Sequence, residues 1–177
     1  DAADMMARLS PDRGVSWSGA DTPVVANHAG LNVMSGSLLR LADGRIALFY
    51  LRKESVADCR PVVRFSADEA KTWSDPVDIV PDAEAGYYIL NNSRVIQLDD
   101  GRLVAPLAHH GPCDESWRTD GVYGRMVCYT SDNGGTSWQR GQQAPPPQRA
   151  DGGRVMLQEA GVEALRDGRI LLWCRTD

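Results

Sequence analysis

Glu159 and Arg175 are the two residues of this sequence whose types and positions best suit chemistry on an anionic ligand. They stand on either side of the pair Asp167-Gly168, each at the far end of an apolar segment. An Asp-Gly pair between apolar segments predicts a β-hairpin, so both residues lie at the same end of that hairpin. A guanidinium matches a carboxylate with two parallel hydrogen bonds and stays charged at any working pH. The pair is therefore a candidate ligand site, and the alternative interpretation is an ordinary exposed ion pair at a strand end.

The same hairpin occurs three times, in residues 37–51, 93–107 and 161–174, with turn glycines Gly44, Gly101 and Gly168. Nine residues before these glycines stand Ser35, Asn92 and Glu159. Seven or eight residues after them stand Leu51 and Arg52, Ala108 and His109, and Arg175 and Thr176. Only the third hairpin has a carboxylate and an arginine at its two ends.

A second motif, S-x-D-x-G-x-[ST]-W, also occurs three times, beginning at Ser10, Ser66 and Ser131. Its copies are 56 and 65 residues apart, and the turn glycines of the hairpins are 57 and 67 residues apart. Two unrelated patterns with matching intervals indicate one repeating unit. Further apolar segments before and after the second motif bring each unit to four strands. The sequence therefore predicts an all-β fold, a β-propeller of four-stranded antiparallel sheets.

The second motif has a structural rationale. Asp and Ser side chains accept backbone hydrogen bonds within a tight turn, Gly adopts a left-handed conformation, and the final Trp can lie between neighbouring sheets. We therefore interpret Asp12, Asp68 and Asn133 as parts of the fold and not as catalytic groups. Ala70 in place of Gly, and Asn133 in place of Asp, weaken two of the copies.

Composition excludes several classes of function. No apolar run approaches the roughly 20 residues of a membrane-spanning helix. A net charge of -5 gives no electrostatic footprint for nucleic acid or anionic lipid. The four cysteines are far apart and have no histidine at ligand spacing, so the sequence indicates neither a metal site nor a cofactor. The compartment cannot be read from the composition.

Together these motifs resemble the Asp-box, or BNR, repeats of the sialidase (neuraminidase) superfamily, whose six-bladed propellers hydrolyse terminal sialic acids. The resemblance covers essentially the whole chain. The more specific segments are LNVMSGSLLRLADGRIALFYLRK, GYYILNNSRVIQLDDGRLVAP and EAGVEALRDGRILLWCRTD. These look like a bacterial sialidase-like branch, for which a secreted or periplasmic location is slightly favoured.

The resemblance implies that the chain holds about three of six blades. We assign the end of one blade, two blades and the start of another to residues 1–31, 32–86, 87–153 and 154–177. Half a ring leaves strand edges unpaired. We therefore expect a fragment that needs the remaining blades to close.

By this resemblance, Glu159 would polarise a catalytic Tyr and Arg175 would bind the carboxylate of sialic acid. Sialidases use Tyr as the nucleophile of a retaining mechanism. An anionic substrate repels a carboxylate nucleophile, so a neutral phenol is the better attacker. For the acid/base residue the resemblance favours Asp1, with Asp58 as the alternative.

Other parts of the expected site are absent or less specific. The R-I-P segment that carries the first arginine is missing, and neither a third arginine nor the Tyr can be located. Five polar residues at the same end of the hairpins are candidates for contacts with the sugar, against simple loop hydrogen bonding or packing. They are Asn32, Asn91, Asn92, Arg94 and His109.

The resemblance leaves three functions open. The leading hypothesis is part of an exo-α-sialidase-like glycoside hydrolase acting on sialylated or related glycans. A non-catalytic propeller that binds glycans or proteins is the first alternative. A glycosidase of the same fold with another sugar substrate is the second.

Overall fold

The computed structural model of this protein describes residues 3–110, 124–145, 147–153 and 155–176. Its strands form four antiparallel sheets that follow one another along the chain. The first sheet pairs β1 (Met5–Ala7) with β2 (Thr22–Val25). The last pairs β12 (Leu157–Ala164) with β13 (Ile170–Thr176).

The second sheet contains four strands in chain order. They are β3 (Asn32–Arg40), β4 (Ile46–Lys53), β5 (Cys59–Ser66) and β6 (Val77–Asp78). β3 and β4 form the predicted hairpin, in which Gly44 has a φ of 90°. A positive φ is what the turn requires and what glycine adopts at little cost.

The third sheet repeats this order with an interrupted first strand. Its strands are β7 (Tyr88–Ile89), β8 (Ile96–Gln97), β9 (Leu103–His109), β10 (Arg125–Ser131) and β11 (Gln139–Gln143). Both β7 and β8 pair with β9, so together they take the place that β3 has in the second sheet. Four strands in a meander, repeated along the chain, are the arrangement of a partial propeller.

Apolar side chains fill the spaces between successive sheets. The largest cluster joins the second and third sheets and includes Phe49, Leu107 and Tyr129, each at most 1% exposed. A smaller cluster around Tyr50 joins the first and second sheets, and one around Leu157 joins the third and fourth. Full burial of side chains of this size contributes about 1.5 to 3 kcal/mol each. Each sheet is therefore held mainly by its immediate neighbours.

The three S-x-D-x-G-x-[ST]-W motifs connect β1 to β2, β5 to β6 and β10 to β11. In the second copy, Asp68 accepts hydrogen bonds from Ser66 Oγ at 2.8 Å and from the Thr72 amide at 2.9 Å. Ser66 Oγ in turn accepts the amide of Ala70, which has a left-handed φ of 64°. The motif therefore keeps its hydrogen bonds although Ala70 stands in place of Gly.

In the third copy an amide replaces the carboxylate. Asn133 Oδ1 accepts hydrogen bonds from Ser131 Oγ and the Ser137 amide, and Asn133 Nδ2 donates to Ser137 Oγ at 2.8 Å. The predicted position of the final Trp is confirmed for Trp138, which packs edge-on against Phe49 of the preceding sheet at 6.3 Å between ring centres.

A short 3-10 helix, Asp82–Glu84, lies between the second and third sheets. Arg60 donates to Asp82 at 2.6 Å, and the Tyr129 hydroxyl donates to Glu84 Oε2 at 2.7 Å. The helix therefore receives a polar contact from each of the two sheets. Within the described residues, no helix has the length and apolar character needed to cross a membrane.

Candidate functional site

Glu159 and Arg175 meet at the open end of the last hairpin. Glu159 lies near the start of β12 and Arg175 near the end of β13, where its register partner is Gln158. Arg175 Nε is 3.1 Å from Glu159 Oε1, and the Arg175 guanidinium also donates to Gln158 Oε1. Both charged side chains are about half exposed, at 54% for Arg175 and 44% for Glu159. The contact is therefore accessible to a ligand.

A left-handed backbone at Glu159 directs this carboxylate. Its φ is 57°, and the register of β12 against β13 shifts between Gln158 and Gly161. Such a bulge adds a residue to one strand and redirects its side chains. A left-handed conformation costs an L-residue about 1 to 2 kcal/mol. The molecule therefore places its candidate catalytic carboxylate at a point of backbone strain.

The first strands of the two preceding sheets have the same feature. Ser35 and Ser93 both have a φ of 57°. Ser35 lies within the register shift of β3 between Met34 and Ser37, and Ser93 lies between β7 and β8. The left-handed residue is therefore a property of the repeating unit, and only the third unit has a charged side chain there.

Trp173 and Arg94 form a stacked pair, and Trp173 lies two residues before Arg175 on β13. Trp173 lies opposite Gly161 in the register of β12 and β13. A Cβ atom built at Gly161 would be 2.5 Å from the Trp173 indole, so only glycine leaves room for the ring. Arg94, from the third sheet, places its Cζ atom 4.2 Å from the centre of a Trp173 ring. This stacking is a favourable cation–π arrangement.

The asparagine candidates differ in their bonding. Asn92 Nδ2 donates to the Gly36 carbonyl at 2.8 Å, so this amide links the third sheet to the bulge of the second. Oδ1 of Asn32 and Oδ1 of Asn91 are buried and accept no hydrogen bond from any residue that the structure describes. A buried acceptor without a donor is costly. The described residues therefore leave the hydrogen-bonding capacity of these two buried oxygens unused.

His109 packs against an aromatic ring at the end of β9. Its ring is stacked on Tyr88 at 4.2 Å between centres and 7° between planes. Burial lowers the pKa of His109, and the nearby charges of Arg140 and Arg125 lower it further. His109 is therefore a neutral ring at pH 7. The adjacent His110 is 7% exposed and contacts Tyr87 instead.

The two candidates for the acid/base residue have different outcomes. Asp1 lies outside the described residues. Asp58 accepts hydrogen bonds from Arg60 at 2.8 and 3.1 Å, and Arg60 is itself buried at 6% exposure. The Asp58 carboxylate therefore compensates the charge of a buried guanidinium.

The sequence did not lead us to predict a role for three further residues at this end of the hairpins. They are Gln158, Trp173 and Lys53, whose Nζ atom lies 5.4 Å from the centre of the Tyr87 ring. A signal existed for Trp173, because residues two apart on a strand share a face and Arg175 is two residues further on. Among the described residues, no group of three His, Cys, Asp or Glu side chains is placed to hold a metal ion.

The profile of the BNR repeat-like domain matches residues 1–176 of the chain. No curated protein matches it at a significant level. Solved structures with the same fold are numerous, and three of them illustrate its range.

A protein of unknown function from Dyadobacter fermentans superposes with a TM-score of 0.75 at 17% identity, covering 98% of this chain and 51% of that one. A Hadza microbial sialidase gives 0.70 at 18% identity, covering 97% and 35%. The α-L-arabinofuranosidase of Fusarium graminearum in complex with arabinobiose gives 0.57 at 17% identity, covering 94% and 48%.

At these identities the likeness concerns the fold. The described sheets have the architecture of a partial propeller of the sialidase type, and glycoside hydrolases share that fold. The chain spans about half or less of the length of each of the three structures.

Proposed function

Because this chain belongs to the BNR repeat-like domain family, we propose that it is part of an exo-α-sialidase-like glycoside hydrolase that removes terminal sialic acid from glycans. The observation that carries the proposal is the 3.1 Å contact between Arg175 Nε and Glu159 Oε1 at the open end of the last hairpin. A cation for the substrate carboxylate and a base for the nucleophile are then side by side.

The donors of Arg175 suit this role. A guanidinium has five N–H donors. Contacts with Glu159 and Gln158 use Nε and one terminal nitrogen, which leaves the other terminal nitrogen for a ligand. The two protein contacts fix the plane of the guanidinium, so less conformational entropy is lost when a carboxylate binds. Arg175 therefore acts as an oriented anion-binding group.

Glu159 acts as a base toward a Tyr nucleophile. The phenol is neutral when it approaches an anionic sugar, and transfer of its proton toward the carboxylate increases its nucleophilicity. The Arg175 guanidinium lies 3.1 Å from the Glu159 carboxylate and offsets its negative charge. The Tyr and the remaining arginines are expected outside this chain, and Asp1 is the proposed acid for the leaving group.

Glu159→Gln in the full-length protein tests the proposal. This variant keeps the shape and a hydrogen bond to Arg175 but removes the base, so kcat on a fluorogenic sialoside should fall roughly 100-fold or more. Glu163→Gln is the matched control, because Glu163 is an exposed residue further along the same strand, paired with Leu171. Equal turnover by the two variants, with both folded, would assign Glu159 to the scaffold.

A second candidate is a glycosidase of this fold that acts on another sugar. The structural likeness to an arabinofuranosidase is the observation that favours this second candidate. A panel of aryl glycosides separates the candidates: turnover of the sialoside supports the first, and turnover of a neutral glycoside alone supports the second. Glycan binding without turnover of any member would instead indicate a non-catalytic propeller.

A further inference from the structure

The first and last sheets each hold half of a repeating unit in the part of the chain that the structure describes. β1 and β2 are joined by a Ser/Asp motif, as the third and fourth strands of the two complete sheets are. β12 and β13 are joined by an Asp-Gly turn, as the first and second strands are. The first sheet therefore lacks the first two strands of its unit, and the last sheet lacks the last two.

One strand edge is unpaired in each of these half sheets. Among the described strands, β1 pairs only with β2 and β13 only with β12. In the complete sheets the equivalent edges pair with each other, β4 with β5 over eight residue pairs and β9 with β10 over seven. An unpaired edge is a template for a further strand.

A groove of about 750 Å³ lies between β1 and the β3–β4 hairpin, where Leu38 and Leu48 line it. Leu38 is 61% exposed, whereas Val95 and Val162, which also stand six residues before a turn glycine, are each 6% exposed. Val95 packs in the cluster that joins the second and third sheets. The groove is therefore the space that a preceding hairpin covers in the next unit.

β13 presents the complementary apolar surface. Leu171 is 50% exposed, but Ala47 and Val104, which likewise follow a turn glycine by three residues, are 0% and 4% exposed. Trp173 is 41% exposed, and its equivalent Phe49 is 1% exposed within the cluster between the second and third sheets. Leu171 and Trp173 therefore lie where a following sheet would cover them.

A second copy of the chain supplies what each half sheet lacks. Its β12–β13 hairpin provides the two missing strands of the first sheet, and its β1 and β2 provide those of the last. The described strands make up three units, so two copies hold six. The chain matches 51% of the Dyadobacter fermentans structure, so a second copy adds as much structure as the rest of that protein. Contacts between two different surfaces form a closed assembly when the rotation returns to its start.

We propose that two copies of this chain form a closed ring, in which β13 of each copy pairs with β1 of the other. Each of the two pairings completes a four-stranded sheet. The hairpin of one copy fills the groove of the other, with Leu171 and Trp173 on the side of Leu38 and Leu48. This inference goes beyond the proposed function and does not depend on the identity of the sugar.

The complete sheets give the register of this pairing. In both, the residue six positions after the turn glycine lies opposite the residue four positions before the motif serine, in the pairs Tyr50 with Val62 and Leu107 with Val127. The same rule places Cys174 opposite Met6 of the second copy. Opposite residues of antiparallel strands have Cα atoms about 4.5 to 5.5 Å apart, a separation that a disulfide can span.

Analytical ultracentrifugation of the 177-residue chain over a range of concentrations tests the proposal, and we expect a dimer. Leu171→Glu places a charge without a partner in the contact, so it should raise the Kd of the dimer roughly 100-fold or more. Val15→Glu is the matched control, because Val15 lies in the first Ser/Asp motif and is 86% exposed. It should leave the Kd unchanged.

A cysteine cross-link tests the register. Met6→Cys should give a covalent dimer on oxidation, with position 6 joined to Cys174 in a peptide map. Ala7→Cys is the control on the same strand. Its side chain points to the other face of the sheet, so it should not be linked to Cys174.

Three results would overturn the inference. A monomer at all concentrations would mean that a second copy does not cover these faces and would leave them to strands of a longer chain or to another protein. Open assemblies of more than two copies would contradict closure of the ring. Equal weakening by Leu171→Glu and Val15→Glu, or equal linking of the two cysteine variants to Cys174, would reduce the association to non-specific contact.

Discussion

Three residues with a left-handed backbone, Ser35, Ser93 and Glu159, carry information at the scale of single residues. None is glycine, although glycine adopts this conformation at least cost. A strained residue persists where the surrounding structure requires it or where its side chain is needed. At Glu159 the proposed role of the carboxylate would account for the absence of glycine. At Ser35 and Ser93 the strain can be relieved without loss of a charged group.

Ser35→Gly should therefore stabilise the protein. Relief of the left-handed strain, about 1 to 2 kcal/mol, exceeds the added flexibility of glycine in the unfolded chain, about 0.5 to 1 kcal/mol. We expect a higher urea midpoint for unfolding. Ser37→Gly on the same strand is the control and should lower the midpoint, because β3 there is regular and pairs with Phe49. Equal destabilisation by both variants would contradict this account.

At the scale of elements, the Ser/Asp motifs use hydrogen bonds to close the connection between the third and fourth strands of each unit. Asp12 and Asp68 each receive hydrogen bonds from the hydroxyl and amide four residues later. These bonds lower the pKa of both carboxyls from 3.8 to about 2. The motif with Asn133 forms a similar set of bonds without an ionisable group. The two motifs that contain Asp and the motif that contains Asn133 therefore respond differently to acid.

Asp68→Asn should make the protein less sensitive to acid. The pKa of Asp68 is lower in the folded state, so its stabilisation is complete above pH 4 and is lost as the pH falls toward 2. An amide does not titrate, so the variant should lose less stability over that interval. Urea midpoints measured between pH 5 and 2 test this prediction. Parallel pH profiles for the two proteins would show that Asp68 is not linked to unfolding.

Repetition explains why so much of the fold could be predicted at the scale of elements. The Asp-Gly turns and the spacing of the Ser/Asp motifs are local signals, and they placed the three hairpins. Arg175 and Glu159 were brought together by the register of one hairpin, which is also local. The stacking of Arg94 on Trp173 joins residues of two sheets and has no local pattern. The left-handed residues were missed because serine and glutamate do not signal that conformation.

At the scale of the whole molecule, each sheet depends on its neighbours. Apolar clusters join each sheet to the next, and the short helix receives contacts from the second and third sheets. Large apolar side chains remain exposed on the first and last sheets or their connections, among them Trp17 at 59% and Leu171 at 50%. Exposed apolar groups of this size favour contact with further structure.

We expect residues 1–177 alone to show no turnover of a fluorogenic sialoside. The nucleophilic Tyr and two of the arginines that the resemblance requires are not located in this sequence, so substrate binding and attack would both be incomplete. The full-length protein, assayed in parallel, is the control, with circular dichroism to check that the shorter protein is folded. Turnover by the shorter protein would mean that its own residues supply the nucleophile.

The shared conformation of Ser35 and Glu159 has a consequence for engineering and evolution. β3 and β12 each contain a left-handed residue nine positions before the turn glycine of their hairpin. A glutamate introduced by Ser35→Glu would therefore have the same backbone conformation as Glu159, two units earlier in the chain. No loop or turn would have to change. A charged group can therefore be exchanged between these repeats at the level of a single residue, without rebuilding the strand that carries it.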